Sequence, residues 1–319
     1  MKLKELFDKG EFVITGEVGP VKGAILRDEN YMPPCAKEAE DLRGYVNAIN
    51  VTDNQSAVMR LGSLAACVRL KKNGLEPIYQ ITCRDRNRLA LQSEILTAYS
   101  LGVDNMLMLT GDHTNLGDHK EAKPVFDLDS VQLIKMAAGL QAGKDMVGND
   151  LLNAPDIYIG AVVNPNFEPL DLQLIKMEKK IEAGAQFFQT QAVYDPVIFE
   201  KFIRGTEGFG VPIQYGHVIL KSPAMAKYMN KYVSGIKVPQ SLIDEISSVS
   251  PDQRKQKAVE MSARLVKEIA PMVQGVHFMP LGWSDIVPEI LKEMKLSAAP
   301  TNHDFRFTST GRGVSGKSA

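Results

Sequence analysis

Asn105-Met106-Leu107-Met108-Leu109-Thr110-Gly111-Asp112 is apolar at every position from Met106 to Leu109 and then breaks into a turn that carries a carboxylate. A strand with one wet face alternates apolar and polar residues, so this run needs cover on both faces, as in a parallel sheet flanked by helices. Asp112 stands just past the strand's carboxyl end, and in barrels and open sheets of parallel strands that edge is where ligands bind. It is therefore the first candidate for chemistry. Taken alone, Gly111-Asp112 reads equally well as a turn whose Asp caps the next segment.

Outward from this stretch the same strand-and-helix rhythm repeats. Before it, residues 11–18, 46–51 and 77–82 read as strands; after it, 157–163, 186–190, 212–218 and 276–279 do. Helices are expected over 35–43, 88–101, 130–142, 170–183, 196–204, 223–233, 241–249, 251–269 and 285–294. One more is expected from an N-cap at Ser56 to a stop at Asn73-Gly74, with Met59, Leu61, Leu64, Ala65, Val68 and Leu70 as its apolar stripe. Eight strands separated by helices in about 290 residues fit a single-domain α/β fold of the TIM-type (β/α)8 barrel class. An open doubly wound sheet is the runner-up, and the first βα turn lacks the G-x-G-x-x-G that a dinucleotide-binding sheet carries there. The barrel is expected over 1–296, with 297–319 a polar, basic, Gly/Ser-rich tail that is disordered or a docking segment.

Composition narrows the function classes. The 319 residues are 44% hydrophobic and 24% charged, enough for a large core. With 37 basic and 38 acidic residues the formal net charge is −1, so no overall field draws the chain to nucleic acid or a membrane surface. No apolar run reaches membrane-spanning length, and residues 1–10 are charged and amphipathic, so a cytoplasmic protein is expected. Cys35, Cys67 and Cys83 form no C-x-x-C pair and are expected to be buried thiols. The stretch from Asp112 to His119 holds two His and two Asp, but its His-x5-His spacing matches no helical pair or zinc pattern, so no metal is expected.

If the strands close into a barrel, one mouth gathers Glu17, Thr52, Asp53, residues 80–82, Thr110, Asp112, Asn164, Gln189, Gln191 and His217. Carboxylates, amides and hydroxyls with little positive charge suit a neutral or cationic heterocycle better than a phosphate-rich sugar. Such a set also fits a division of labour in which one carboxyl group is kept protonated and another stays ionised.

In order and spacing, the chain resembles the methylenetetrahydrofolate reductase family through Thr15-Gly16-Glu17, Val51-Thr52, Ile81-Thr82-Cys83, Leu109-Thr110-Gly111-Asp112, Lys180 with Glu182-Ala183-Gly184-Ala185, and Thr190-Gln191 with Tyr194-Asp195. The resemblance runs from about Phe12 to Leu291. It implies a flavin-containing barrel, with FMN or FAD, that reduces 5,10-methylenetetrahydrofolate to 5-methyltetrahydrofolate. Glu17 matches the family's general acid, Asp112 the carboxylate between flavin and pterin, and Gln191 the pterin-binding glutamine. Thr52, Gln80, Leu109, Thr110, Gly111, Asn164 and Lys180 match positions around the flavin.

The departures are equally specific. Gln80 and Thr110 stand where better-known bacterial members have His and Arg, and Asn164 stands in place of a tyrosine. The loop Lys221-Ser222-Pro223-Ala224-Met225 lacks the phenylalanine that packs there on nicotinamide and folate. These losses point to the short members that work with an electron-delivering partner subunit; a homo-oligomer is also left open. The alternative reading is a folate- or pterin-binding barrel subunit without redox chemistry of its own.

Overall fold

The computed structural model describes residues 2–25 and 33–295; the tail 297–319 lies outside the described residues. Eight strands form a closed barrel in chain order: β1 (Val13–Val18), β2 (Ala48–Val51), β3 (Pro77–Thr82), β4 (Asn105–Leu109), β5 (Tyr158–Val163), β6 (Phe187–Thr190), β7 (Ile213–Val218) and β8 (Gly275–Met279). Each pairs in parallel with the next, and β8 closes on β1 through Thr15 opposite His277. Helix α1 (Leu3–Asp8) precedes the barrel. The helices α2 (Pro34–Asp41), α3 (Ser63–Lys72), α4 (Arg88–Ser100), α5 (Ser130–Gln141), α6 (Leu170–Glu182) and α7 (Pro196–Gly205) follow β1 to β6 in turn. After β7 come α8 (Pro223–Tyr232), α9 (Gln240–Ser247) and α10 (Arg254–Ile269), and α11 (Val287–Glu293) ends the described fold.

Period-two alternation sorts each strand's side chains into two populations. Ile14, Ile49, Tyr79, Met106, Met108, Ile159, Phe188, Tyr215 and Phe278 point outward into the core shared with the helices. Val13, Ala48, Ile78, Leu107, Tyr158 and Phe187 point inward and fill the amino-terminal end of the barrel. Leu3 and Phe7 of α1 join this inner layer, and the Phe7 ring stacks on Phe187 at 6.0 Å. The amphipathic amino-terminal segment is thus the plug of the barrel floor. Gly160 makes room for the Phe187 ring, since a Cβ at that position would lie 2.3 Å from Phe187 Cζ.

One expected element is displaced. Ser56 caps no helix: Asn54, Ser56 and Ala57 are in left-handed conformation, and α3 begins only at Ser63. Tertiary contacts override the local pattern. Gly117 presses so closely on the Ala57 carbonyl that a Cβ there would overlap it, Asp118 accepts from Met59 N at 3.0 Å, and Asn54 Oδ1 accepts from Arg60 N at 2.8 Å. Met59, expected in a buried stripe, is 46% exposed. The long helix expected over 251–269 is divided into a 3-10 turn, Pro251–Gln253, and α10. Cys35, Cys67 and Cys83 are buried and free, and burial pushes the Cys83 thiol up to about 12, which removes it as a nucleophile. No described helix is long and apolar enough to cross a membrane.

Candidate active site

An open cleft of about 490 Å³ lies at the carboxyl ends of the strands. Glu17, Thr52, Gln80, Leu109, Thr110, Gly111, Asp112, Asn164, Lys180 and Gln191 all line it. Asp53, Thr82 and Gln189 line it as well. His217 does not. On β7 Gln214 points inward, so His217, three residues on, points outward among Tyr194, Tyr215 and Phe278. Burial there pushes its imidazole pKa down to about 3.

The two leading carboxyl groups sit in opposite environments. Glu17 is buried on the inner face of β1, at 8% exposure. Gln80 Nε2 donates to Glu17 Oε2 at 3.1 Å, and His277 Nε2 lies 3.6 Å from the same oxygen. Asp112 is exposed on the turn beyond β4. Gly111 before it has φ +89°, a region that favours glycine, and a Cβ there would lie 3.0 Å from Thr82 Cβ. The turn is also backed by Arg84, which is 2% exposed, is paired to Asp85 at 2.7 Å, and donates to the Asp112 carbonyl at 3.4 Å.

Several features of the cleft fit an anionic, hydrogen-bonding cofactor. Thr52 Oγ1 is buried and has no hydrogen-bond partner among the described residues, and such groups normally find one. Lys180 reaches in from α6 and donates to the Val162 carbonyl at 2.7 Å. Burial, and then the neighbouring charge of Lys176, hold its ammonium down to about 8, so an anion beside it would be strongly favoured. The cleft volume is within the range of small-molecule sites. Thr110 Oγ1 accepts from Ser130 N at 3.2 Å, which ties the strand end to the start of α5.

Sequence reasoning missed Arg84, Lys176 and His277, all of them lining the cleft. Lys176 was detectable from its i,i+4 spacing to Lys180 on one helix face. His277 was detectable from the alternation Val276-His277-Phe278, in which apolar neighbours point outward and the histidine inward. Of the loop histidines, His113 Nδ1 accepts from Asn115 N and His119 Nδ1 lies 2.8 Å from Asp118, and no group of three potential metal ligands occurs among the described residues.

A family model described as methylenetetrahydrofolate reductase matches residues 2–295. Methylenetetrahydrofolate reductase 2 of Schizosaccharomyces pombe is 26% identical over 232 residues, covering 68% of this chain and 35% of its own length. A probable methylenetetrahydrofolate reductase (NADPH) of Caenorhabditis elegans is 24% identical over 252 residues, covering 76% of this chain and 36% of its own. The chain therefore spans about a third of the length of these relatives. Among solved structures, a Clostridium thermocellum protein that binds two copies of 5-methyl-5,6,7,8-tetrahydrofolic acid has the same fold, with a TM-score of 0.59 at 15% identity over 92% of this chain and 98% of that one. The match of the family model along nearly the whole described barrel shows that the chain belongs to the methylenetetrahydrofolate reductase family.

Proposed function

We propose that this chain reduces 5,10-methylenetetrahydrofolate to 5-methyltetrahydrofolate, with FMN or FAD bound in the cleft. The observation that carries the reading is the meeting, in that cleft, of a buried carboxyl group, Glu17, an exposed one, Asp112, and the Gln191 amide. Thr52, Gln80, Leu109, Thr110, Gly111, Asn164 and Lys180 hold the flavin, with Thr52 Oγ1 and the Lys180 ammonium as its polar anchors. When bound, the flavin supplies the hydride.

The protein's own tasks are protonation, charge placement and orientation. Glu17 gives a proton to N10 of the folate, the C–N10 bond breaks, and a 5-iminium cation forms. Asp112 stabilises that cation electrostatically. Gln191 donates and accepts across the pterin edge and holds the iminium carbon toward the hydride donor. The product is the 5-methyl group, with the proton retained on N10. A yellow purified protein whose flavin is reoxidised by methylenetetrahydrofolate is the expected result; a colourless protein that takes up neither FMN nor FAD overturns the reading.

Asp112→Asn is expected to slow folate turnover and to make the flavin easier to reduce. A carboxylate opposes the negative charge that reduction places on the ring, and the amide does not. Spectroelectrochemical titration of both proteins checks this. An unchanged midpoint potential shows that Asp112 lies away from the ring.

The electron donor follows from the loop after β7. Ser222 Oγ accepts from Met225 N at 3.1 Å, so the chain turns directly into α8, and this loop carries Ala224 and Met225 in the stretch where the family resemblance calls for a phenylalanine to pack on nicotinamide. The isolated chain is therefore expected to reduce methylenetetrahydrofolate with a low-potential dye and to oxidise NADH or NADPH slowly, with a partner subunit delivering electrons. Anaerobic stopped-flow mixing with NADH and NADPH tests this. Rapid flavin reduction overturns it and turns attention to Phe167, the aromatic that lines the cleft from the loop after β5.

A further inference from the structure

Beneath Glu17 the barrel interior is polar, and its hydrogen bonds can be assigned from fixed points. Gln214 Nε2 faces two backbone carbonyls, Val13 O at 3.1 Å and Val276 O at 3.4 Å. Carbonyls only accept, so the amide nitrogen belongs on that side and Gln214 Oε1 faces Gln189. Gln189 must then present its nitrogen, which donates to Gln214 Oε1 at 3.0 Å, and its own oxygen accepts from Asn50 Nδ2 at 2.8 Å. Both amide nitrogens also reach Thr15 Oγ1, Gln189 at 3.4 Å and Gln214 at 3.3 Å.

Thr15 therefore meets two groups that can only donate to it. Its hydroxyl proton has one remaining destination, His277 Nδ1 at 2.9 Å. A ring whose Nδ1 accepts carries its proton on Nε2. That nitrogen is the one facing Glu17 Oε2, at a distance that closes to a hydrogen bond with a small movement of either side chain. Gln80 already donates to the same oxygen. Glu17 Oε2 thus accepts from Gln80 and faces a second N–H 3.6 Å away, and Oε1 is left without a protein partner among the described residues.

We infer that His277 is a positioning residue for Glu17: fixed as the Nε2–H tautomer by Thr15, it acts with Gln80 to occupy Oε2, so that the proton Glu17 delivers sits on Oε1, the oxygen free to meet the substrate. A carboxyl group protonated on Oε2 would turn its proton into the protein, against two N–H groups. No atom is transferred to or from His277; it decides only which oxygen is the donor. The inference rests on the assignment of Glu17 as the acid.

The tautomer is read directly, without turnover. In protein labelled with 15N-histidine, long-range 1H–15N correlation distinguishes a protonated from an unprotonated ring nitrogen, and the His277 signals among the five histidines are identified by their loss in His277→Gln. The wild-type ring is expected to show Nε2 protonated and Nδ1 bare, and Thr15→Val, which keeps the shape and removes the hydroxyl, is expected to lose that pattern. In single-turnover oxidation of the dye-reduced holoenzyme by methylenetetrahydrofolate, His277→Leu is expected to be slowed about 10- to 100-fold, the usual worth of a hydrogen bond to an ionisable group. His277→Gln, whose amide nitrogen falls near the place of Nε2, is expected to recover most of the rate. A wild-type ring protonated on Nδ1 overturns the inference, as does a His277→Leu rate within twofold of wild type or a Gln variant no better than Leu. Retained folate turnover in Glu17→Gln would instead overturn the assignment of the acid, and the tautomer measurement is independent of that result.

Discussion

Glu17→Gln is expected to lower folate turnover by roughly 10²- to 10⁴-fold, the ordinary worth of a general acid, while reduction of the flavin by an artificial donor stays nearly intact. The two half-reactions separate because they ask different things of the position. Gln keeps the shape of Glu17 and a polar contact with Gln80, which holds the carboxyl group at 3.1 Å in the native chain. It carries no proton to give N10, so opening of the folate ring is the step that fails. Parallel assays with a viologen dye and with methylenetetrahydrofolate check the split. Folate turnover within a few-fold of wild type removes Glu17 from the acid's role, and equal losses in both half-reactions show that the substitution has damaged the cleft as a whole.

What the sequence discloses of this fold depends on how local the cause is. The run from Met106 to Leu109 is apolar on both faces because the barrel interior and the helix layer both cover β4, and that cause is visible in four consecutive residues. The strand ends were legible for the same reason, and the candidates taken from them share one cleft, His217 and Ile81 excepted. Ser56 was not legible, since what keeps it out of a helix is the backbone of Gly117, sixty-one positions along the chain. His217 and His277 show a subtler limit. Both are strand histidines, and parity alone sends one into the outer aromatic core and the other beside Glu17. Choosing between them requires an inward anchor on each strand, which Gln214 supplies on β7 through its contacts with Gln189 on the neighbouring strand β6 and with Thr15 of β1. Gln189 has a similar lesson: it looks like a ligand-facing polar residue in sequence, and in the folded chain its amide is met by Asn50 and Gln214.

Asp53→Ala is expected to destabilise the protein by about 3–5 kcal/mol, the typical effect of stranding one member of a buried ion pair. The Asp53 side chain is 1% exposed and accepts from Thr82 N at 3.0 Å, Thr82 Oγ1 at 2.9 Å and Arg86 Nη1 at 2.8 Å. Alanine leaves the Arg86 guanidinium, whose side chain is 18% exposed, without its main counter-charge, and leaves two buried donors on Thr82 unmet. The Arg264–Glu245 pair gives the contrast, because it is also close, at 2.6 Å, but its side chains are 53% and 26% exposed. Water already solvates those charges, so Glu245→Gln is expected to cost under about 1 kcal/mol. Urea unfolding of the two variants with a common slope separates them. Asp53 and Thr82 both line the cleft, so the loss is expected to reach flavin affinity as well as stability. An Asp53→Ala midpoint no lower than that of Glu245→Gln would show that the β2 and β3 ends are held by their helices and not by this carboxylate.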